Sequence, residues 1–496
     1  MPNLAENKIL ATYNDREGAL MSEALVSEHK ISFGQKTAYG FGMLANQLFA
    51  AALGVFMVVL VVGLGMDPLL AGLLGALPRI FDALTDPVMG YISDHTYSKW
   101  GRRRPYIFIG SIITGLSFIF MWQIDPANSH TFTFWYFLLW SLTFYFGYTV
   151  FATPYIALGY EMSDDFNERT RLMATAQLIG QFAWVIAPWS WVIIYNPSLF
   201  ENAPAGARYL AVWVGLGCML IAMIPAFICK QKVIPIEEQK RINFQDLKGE
   251  LVSFVNGIKT TFKCKPFLKL CAVTFLIFNG FQTIAGFGWY IIVFYLFKGD
   301  MGAAGTWPTW FGTVSALFTI FLVIPIVTLI SEKIGKKGAF IVSTFISIVG
   351  YAMKWWCFDP SNPYLMFLPL PFLAFGIGGL FTLMMSMTAD VCDLDELQNG
   401  ERREGVFGAV YWWMVKLGQA IAILFSGIIL KVVGFKQGQA EQLHSTIIGL
   451  RIADIVIPII GALIAIAVIW SYSVSEKRAN EIRDELEKRR GKAQLQ

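Results

Sequence analysis

The sequence predicts an all-α membrane protein of twelve transmembrane helices, built as two six-helix bundles. Three observations carry this. The 496 residues are 55% hydrophobic and only 15% charged, with a mean hydropathy of +0.54, whereas a soluble domain holds about 25% charged residues. The apolar residues fall in about twelve blocks of ~20 residues or more, each long enough to cross a hydrocarbon core of ~30 Å. Two short basic loop patterns recur at one spacing in the two halves of the chain. In lipid the backbone must satisfy its own hydrogen bonds, so the blocks are expected as helices.

In chain order, residues 1–37 are polar and mixed in charge, and lack the pattern of a cleavable signal peptide. The first span is therefore expected to insert as an internal signal and stay. The first bundle, 38–229, contains spans at 38–64, 68–93, 105–123, 132–160, 173–195 and 209–229. Residues 230–267 are the longest loop, and FQDLKGELVSFVNGIKTTF within it has the pattern of an amphipathic surface helix. The second bundle, 268–472, contains spans at 268–297, 307–331, 339–358, 364–391, 405–433 and 446–472, and 473–496 is a polar tail. With both termini inside, cytoplasmic segments hold about 31 of the 39 Lys and Arg, and the outer loops about three. That asymmetry predicts a cytoplasmic-membrane protein with both ends in the cytoplasm. The six cysteines are scattered without metal-ligand spacing and are expected to be packing residues.

The repeat supports the two-bundle organisation. After the second span comes YISDHTYSKWGRRRP, with Asp94, Arg102 and Arg103; after the eighth comes LISEKIGKKG, with Glu332, Lys336 and Lys337. After the fourth comes NERTR (167–171), and after the tenth GERRE (400–404). The two pairs are offset by about 234 and 233 residues. Parallel repeats about an axis along the membrane normal are the major facilitator arrangement. The two sets of charges are expected to form cytoplasmic gate networks that hold the bundles in one state.

Ionisable groups inside spans are functional candidates. Asp82 and Asp86 are four residues apart and share one helix face, with Thr85 beside them. At ~5.5 Å and an effective dielectric of ~20, two such charges repel by about 3 kcal/mol. They need a cation or a shared proton. Lys416 is the deep cation of the second half. Two Asp and one Lys sum to −1, which one bound monovalent cation would cancel. Arg79, three residues before Asp82, is the alternative partner in a structural network. Arg451 and Asp454 are expected to pair with each other, and Lys354, before Trp355 and Trp356, to anchor at an interface.

FDALTDPVMGYISDHTYSKWGRRRPYIFIG (81–110) closely resembles the second-helix motif of melibiose permease and its relatives, the glycoside–pentoside–hexuronide:cation symporters of the major facilitator superfamily. TADVCDLDELQNGERREGVFGAVYWWMVKLGQA (388–420), YGFG (39–42) and YTVFATPY (148–155) resemble further signatures of that family. The resemblance implies a cation site, for Na⁺ or H⁺, at Asp82, Thr85, Asp86 and Thr149 with Lys416 beside it. Thr85 stands where that permease has Asn. The family's charged sugar clamp is largely replaced, by Gln47, Ala152 and Gln177, and Ile156 stands where that permease has Trp. A neutral, amide-lined substrate cavity is therefore expected from Asn46, Gln47, Gln177, Gln181, Gln282 and Gln419, with Trp412 stacking on a sugar face. The substrate expected of it is an uncharged glycoside, with Arg79 and Lys416 assigned to balancing the aspartates.

A cation-coupled glycoside symporter is the leading expectation; its partners are the glycoside, the cation and the bilayer, with no cofactor and no nucleic acid. The alternative is a lysolipid or other amphiphile carrier, since vertebrate lysolipid carriers share the Asp-x-x-Thr-Asp pattern seen at Asp82, Thr85 and Asp86. A polytopic membrane enzyme is the distant third. Its four histidines (His29, His95, His130, His444) lie at or outside helix ends and form no HxxxH-type pair.

Overall fold

The computed structural model describes residues 31–96, 98–163, 166–230, 244–400, 404–439 and 441–493. Residues 1–30 of the expected tail, 231–243 of the long loop and 401–403 of GERRE lie outside these. All regular elements among the described residues are helices. The first half holds α1 (Phe33–Val58), α2 (Pro68–Asp94), α3 (Arg104–Met121), α4 (His130–Glu161), α5 (Phe166–Ile186) and α6 (Ala203–Ile228). Then come α7 (Phe244–Thr261), α8 (Lys265–Tyr290), α9 (Trp307–Phe318), α10 (Ile324–Cys357), α11 (Leu370–Asn399), α12 (Glu404–Val432), α13 (His444–Trp470) and α14 (Glu476–Ala493).

Helix starts follow the local sequence. Ser32, Asp67, Ser129 and Asn202 each accept a first-turn N–H at the heads of α1, α2, α4 and α6. Proline sits in the first turn of α2, α3 and α6, where its missing N–H costs nothing.

Among the described residues, ten helical segments are long and apolar enough to cross a membrane. One of them is the 57-residue run Met301–Cys357, inside which Gly335 adopts φ 75° and ψ 163°. The sequence placed a loop at 332–338; the structure carries helix up to and away from this single residue. A backbone of that kind is essentially restricted to glycine, and the Glu476 carboxylate occupies the place of a Cβ. The 32-residue α4 is not among the ten. Thirteen of its residues are aromatic, and Tyr and Trp lower its hydropathy. The expected surface helix forms as α7, packs against α2 and α12, and exposes Val252 and Val255.

Within the first half α1 packs on α5 and α6, and α3 on α4 and α6; within the second, α10 packs on α11 and α13, and α8 on α12 and α13. The two ends of the molecule differ. Away from the basic loops one core draws on both halves, joining Phe49, Phe56 and Trp191 to Trp289, Phe294 and Leu430. There Trp191 stacks on Trp289 at 5.2 Å, Thr309 Oγ1 donates to the Pro188 carbonyl at 2.8 Å, and Asp67 pairs with Lys431 at 2.9 Å. Near the basic loops each half has its own core, around Tyr39, Phe151 and Tyr155 in one and Phe267, Phe340 and Phe407 in the other. The halves thus share one core at one end and have separate cores at the other, where α7 touches both.

Two expectations about charges are corrected. Lys354 is not an interfacial anchor: it is 2% exposed and ion-paired to Asp454, itself 1% exposed. Arg451 does not pair with Asp454. It donates to the Tyr295 hydroxyl at 2.8 Å and the Trp355 carbonyl at 2.5 Å, with its guanidinium against both rings. The 3.6-residue repeat puts Arg451 and Asp454 on neighbouring faces, but α10 offers Asp454 a nearer ammonium. Removing one member of a buried pair leaves an uncompensated charge, whereas replacing both does not. Lys354→Met should therefore cost about 3 kcal/mol of stability, and Lys354→Met with Asp454→Leu should recover most of it. Thermal melting in detergent measures both; a single variant as stable as wild type would remove the pair's structural role.

Candidate functional site

The site is assembled from three helices at mid-depth. Asp82 and Asp86 lie on one face of α2, one turn apart. Thr149 and Thr153 occupy the matching positions of α4, and Lys416 reaches across from α12. Close approach of α2 and α12 makes that reach possible. A Cβ on Gly427 would lie 2.3 Å from the Pro68 carbonyl oxygen, so only glycine permits the contact.

Lys416 Nζ donates to Asp82 Oδ2 at 2.8 Å and also to Asp86 Oδ2. Thr149 Oγ1 donates to Asp82 Oδ1 at 2.6 Å, and Thr153 Oγ1 to Asp86 Oδ1 at 3.2 Å. Thr85 Oγ1 donates to the Asp82 carbonyl at 3.0 Å and lies 3.1 Å from Thr149 Oγ1. Two carboxylates thus hold one ammonium, and three threonine hydroxyls cluster about the carboxylates. Such a set can hold a small hard cation or share a proton, and it already holds a fixed positive charge. All five residues expected for the cation site are brought together. Thr153 was missed, although its i+4 spacing from Thr149 repeats that of Asp86 from Asp82.

A small cavity of about 90 Å³ opens beside this cluster, lined by Arg79, Asp82, Tyr145, Tyr148, Lys416 and Gln419 among others. Of the residues expected for substrate, Gln419 alone lines it. Gln47 accepts a hydrogen bond from Trp184 Nε1 at 2.9 Å and donates to Gln177 at 3.4 Å. The Asn46 carbonyl accepts from Tyr148 at 3.1 Å, while Asn46 Oδ1 is buried without a partner among the described residues. None of these three amide side chains lines that cavity. Gln181 and Gln282 are half-buried with no side-chain hydrogen bond among the described residues, and Trp412 is exposed beside Tyr411. The structure does not gather these three at the cavity. The tyrosines were missed because an aromatic-rich helix gives no signal for which rings face inward. The expected balancing of Asp82 by Arg79 is also absent: among the described residues Arg79 has no ion pair.

The basic loops form networks, but each lies within its own half. Arg103 pairs with Asp94 and with Glu161 at 2.9 Å, and Arg102 with Glu161 at 2.6 Å. In the second half Lys336 pairs with Asp390 at 2.6 Å, and Lys337 donates to the Trp470 and Tyr472 carbonyls. Glu332 takes no part: among the described residues it has no ion pair, and Lys336 takes its acid from α11. In NERTR, Glu168 binds Lys36 and Arg171, each at 2.8 Å. The Lys36 ammonium holds its carboxyl below the usual range. Glu161 and Asp390, the shared acids, sit where α4 and α11 meet the basic end.

The family model described as "MFS/sugar transport protein" matches residues 38–476. The chain is 23% identical over 479 residues to the glucuronide carrier protein homolog of Escherichia coli (strain K12), covering 93% of this chain and 97% of that protein. It is 21% identical over 493 residues to the sodium-dependent lysophosphatidylcholine symporter 1 of Xenopus tropicalis, covering 92% and 90%. Among solved structures, a bacterial homolog of the human lysosomal transporter Spinster, inward-facing and occupied, superposes with a TM-score of 0.63 at 13% identity, over 90% of this chain and 97% of that one. At that identity the likeness concerns the fold.

Because Glu161 neutralises two arginines in the arrangement seen here, Glu161→Gln should destabilise it relative to its alternative. A cysteine at Ala50, on the cavity wall, should then be alkylated several-fold more slowly from the basic side, with native cysteines replaced. Glu332→Gln should leave the rate unchanged. Equal rates in both variants would reduce the network to a topological signal.

Proposed function

This chain belongs to the MFS/sugar transport protein family, and on that premise we propose that it is a symporter coupling Na⁺ or H⁺ to glycoside uptake by alternating access. The observation that carries the proposal is Lys416, held by two carboxylates of the opposite half. Twelve spans follow if α4 is added to the ten and Met301–Cys357 is counted as two at Gly335. They divide into bundles at 38–229 and 268–472. The basic end is cytoplasmic by the positive-inside rule, in the cytoplasmic membrane, and separate packing there makes this the inward-facing state.

The coupling follows from charge. A cation bound at Asp82, Asp86, Thr85 and Thr149 takes over part of what Lys416 now supplies. It thereby loosens a tie between α2 and α12. The two states of the tie have different charge partners, so the cation has differential affinity for them, which any population shift requires. Protonation of one carboxyl would act in the same way. Gln419, one turn after Lys416, links the substrate cavity to the same helix. A lysolipid substrate is the second reading, supported by the lysophosphatidylcholine symporter among the relatives.

Uptake into proteoliposomes, across a sugar panel and lysophosphatidylcholine, with Na⁺ and H⁺ gradients imposed separately, tests this. Asp82→Asn and Asp86→Asn should each abolish accumulation against a gradient. Concentrative uptake at the wild-type level in both variants would remove the coupling role from these residues.

A further inference from the structure

We propose that the basic end of the second half binds the headgroup of an anionic glycerophospholipid such as phosphatidylglycerol, in the pocket where the break of α10 meets the turn from α13 into α14. The site stands apart from the cavity beside Lys416 and from whatever that cavity transports.

The pocket is an open cavity of about 530 Å³, lined by Ile334, Lys336, Lys337, Trp470, Glu476 and Lys477 among others. Gly335, at φ 75°, breaks the run of α10 immediately before two consecutive lysines. α13 ends at Trp470, and a short turn leads to Glu476 at the head of α14. That last helix is fixed. Ala479, Ile482 and Leu486 are buried in the core of the second half, and Arg489 donates to the Leu397 carbonyl at 2.9 Å. The wall that carries Lys477 is therefore held in place.

The pocket is positively charged. Lys337 Nζ donates to the Trp470 carbonyl at 2.7 Å and the Tyr472 carbonyl at 3.1 Å. Both acceptors are neutral, so the ammonium is positioned without its charge being cancelled, and a third donor remains to it. Lys336 pairs with Asp390 at 2.6 Å. Lys477 is exposed and, among the described residues, has no ion pair. Asp390 offsets Lys336, and Glu476 offsets one of the other two lysines. The net charge left is +1, which one phosphodiester cancels. A zwitterionic headgroup brings its own cation and leaves that charge unmet.

The surroundings favour a phosphate anchored in the bilayer over a soluble one. Trp470 is 68% exposed and Ile334 53%, at the end of a span, where aromatic side chains sit at headgroup depth. Away from the pocket α10 exposes Val342, Phe345 and Val349, and α13 exposes Leu463 and Ile460. These spacings give each helix an apolar stripe along which acyl chains can lie. Lysines at the cytoplasmic boundary of a membrane attract the anionic lipids of that leaflet, and basic pockets between spans take their headgroups.

Native mass spectrometry of the delipidated full chain in detergent tests this, with phosphatidylglycerol, phosphatidylcholine and glycerol 3-phosphate as probes. Wild type should retain one phosphatidylglycerol at a concentration about tenfold below that needed for phosphatidylcholine. Lys337→Gln with Lys477→Gln should bring the two lipids level. Lys436→Gln, beside the shared core at the other end, should leave the preference intact. Should the double variant fail to fold, Lys477→Gln alone decides, and it should reduce the preference several-fold. Equal retention of both lipids by wild type, or a preference that survives these substitutions, would overturn the inference. Displacement of the bound lipid by an equal concentration of glycerol 3-phosphate would also overturn it, and make the pocket a site for a soluble phosphate.

Discussion

Lys416 reaches from α12 to Asp82 and Asp86 on α2, and much of the surrounding structure is arranged so that it can. The glycine contact at Gly427 lets the two helices touch. The shared core away from the basic loops clamps the halves around that contact. The threonines of α4 take the carboxylate oxygens that Lys416 leaves free. Without the ammonium, the two aspartates would repel across one helical turn in a poorly screened interior. With it, the two carboxylates share one compensating charge. A tie that another cation can take over is the kind of two-state element that coupling requires.

The same constraint, that buried charge must be balanced, sorts the other ionisable groups by role. Lys354 and Asp454 are sealed from all sides and compensate each other, so they brace α10 against α13. The arginines near the basic loops find carboxylates within their own half, which leaves the halves free to separate there. Arg79 differs from both sets: it lines a cavity and, among the described residues, has no ion pair.

How far the sequence could be read follows from what each signal measures. Hydropathy pointed to helices long enough to cross a membrane, ten of which stand among the described residues, and it differs from the structure where elements run together. Gly335 interrupts a helix by a single residue, which a window of many residues cannot register. In α4 the aromatic content lowers hydropathy in a helix as long as its neighbours. The i,i+4 pattern at Asp82 and Asp86 made the cation cluster legible, because helical periodicity alone puts two such residues on one face. The substrate side was far less legible. Gln47 and Gln177 were chosen as polar residues deep in spans, yet they bond to each other and to Trp184. Tyr145 and Tyr148, which do line the cavity, could not be told from eleven other rings of α4.

By itself the sequence determined that this is a helical membrane protein, which end carries the basic loops, and that two carboxylates on the second span require a positive charge. These depend on composition and on periodicity within one helix. Only the tertiary structure decided where that charge comes from and which pairs form. Lys416 lies 330 residues beyond Asp86, and Asp454 takes Lys354 from another helix rather than Arg451 from its own. Asp82 takes Thr149 and Lys416 from two other helices rather than Arg79 from its own. Ion pairing is settled by distance in space and by competition for oxygens, and neither quantity is written along the chain.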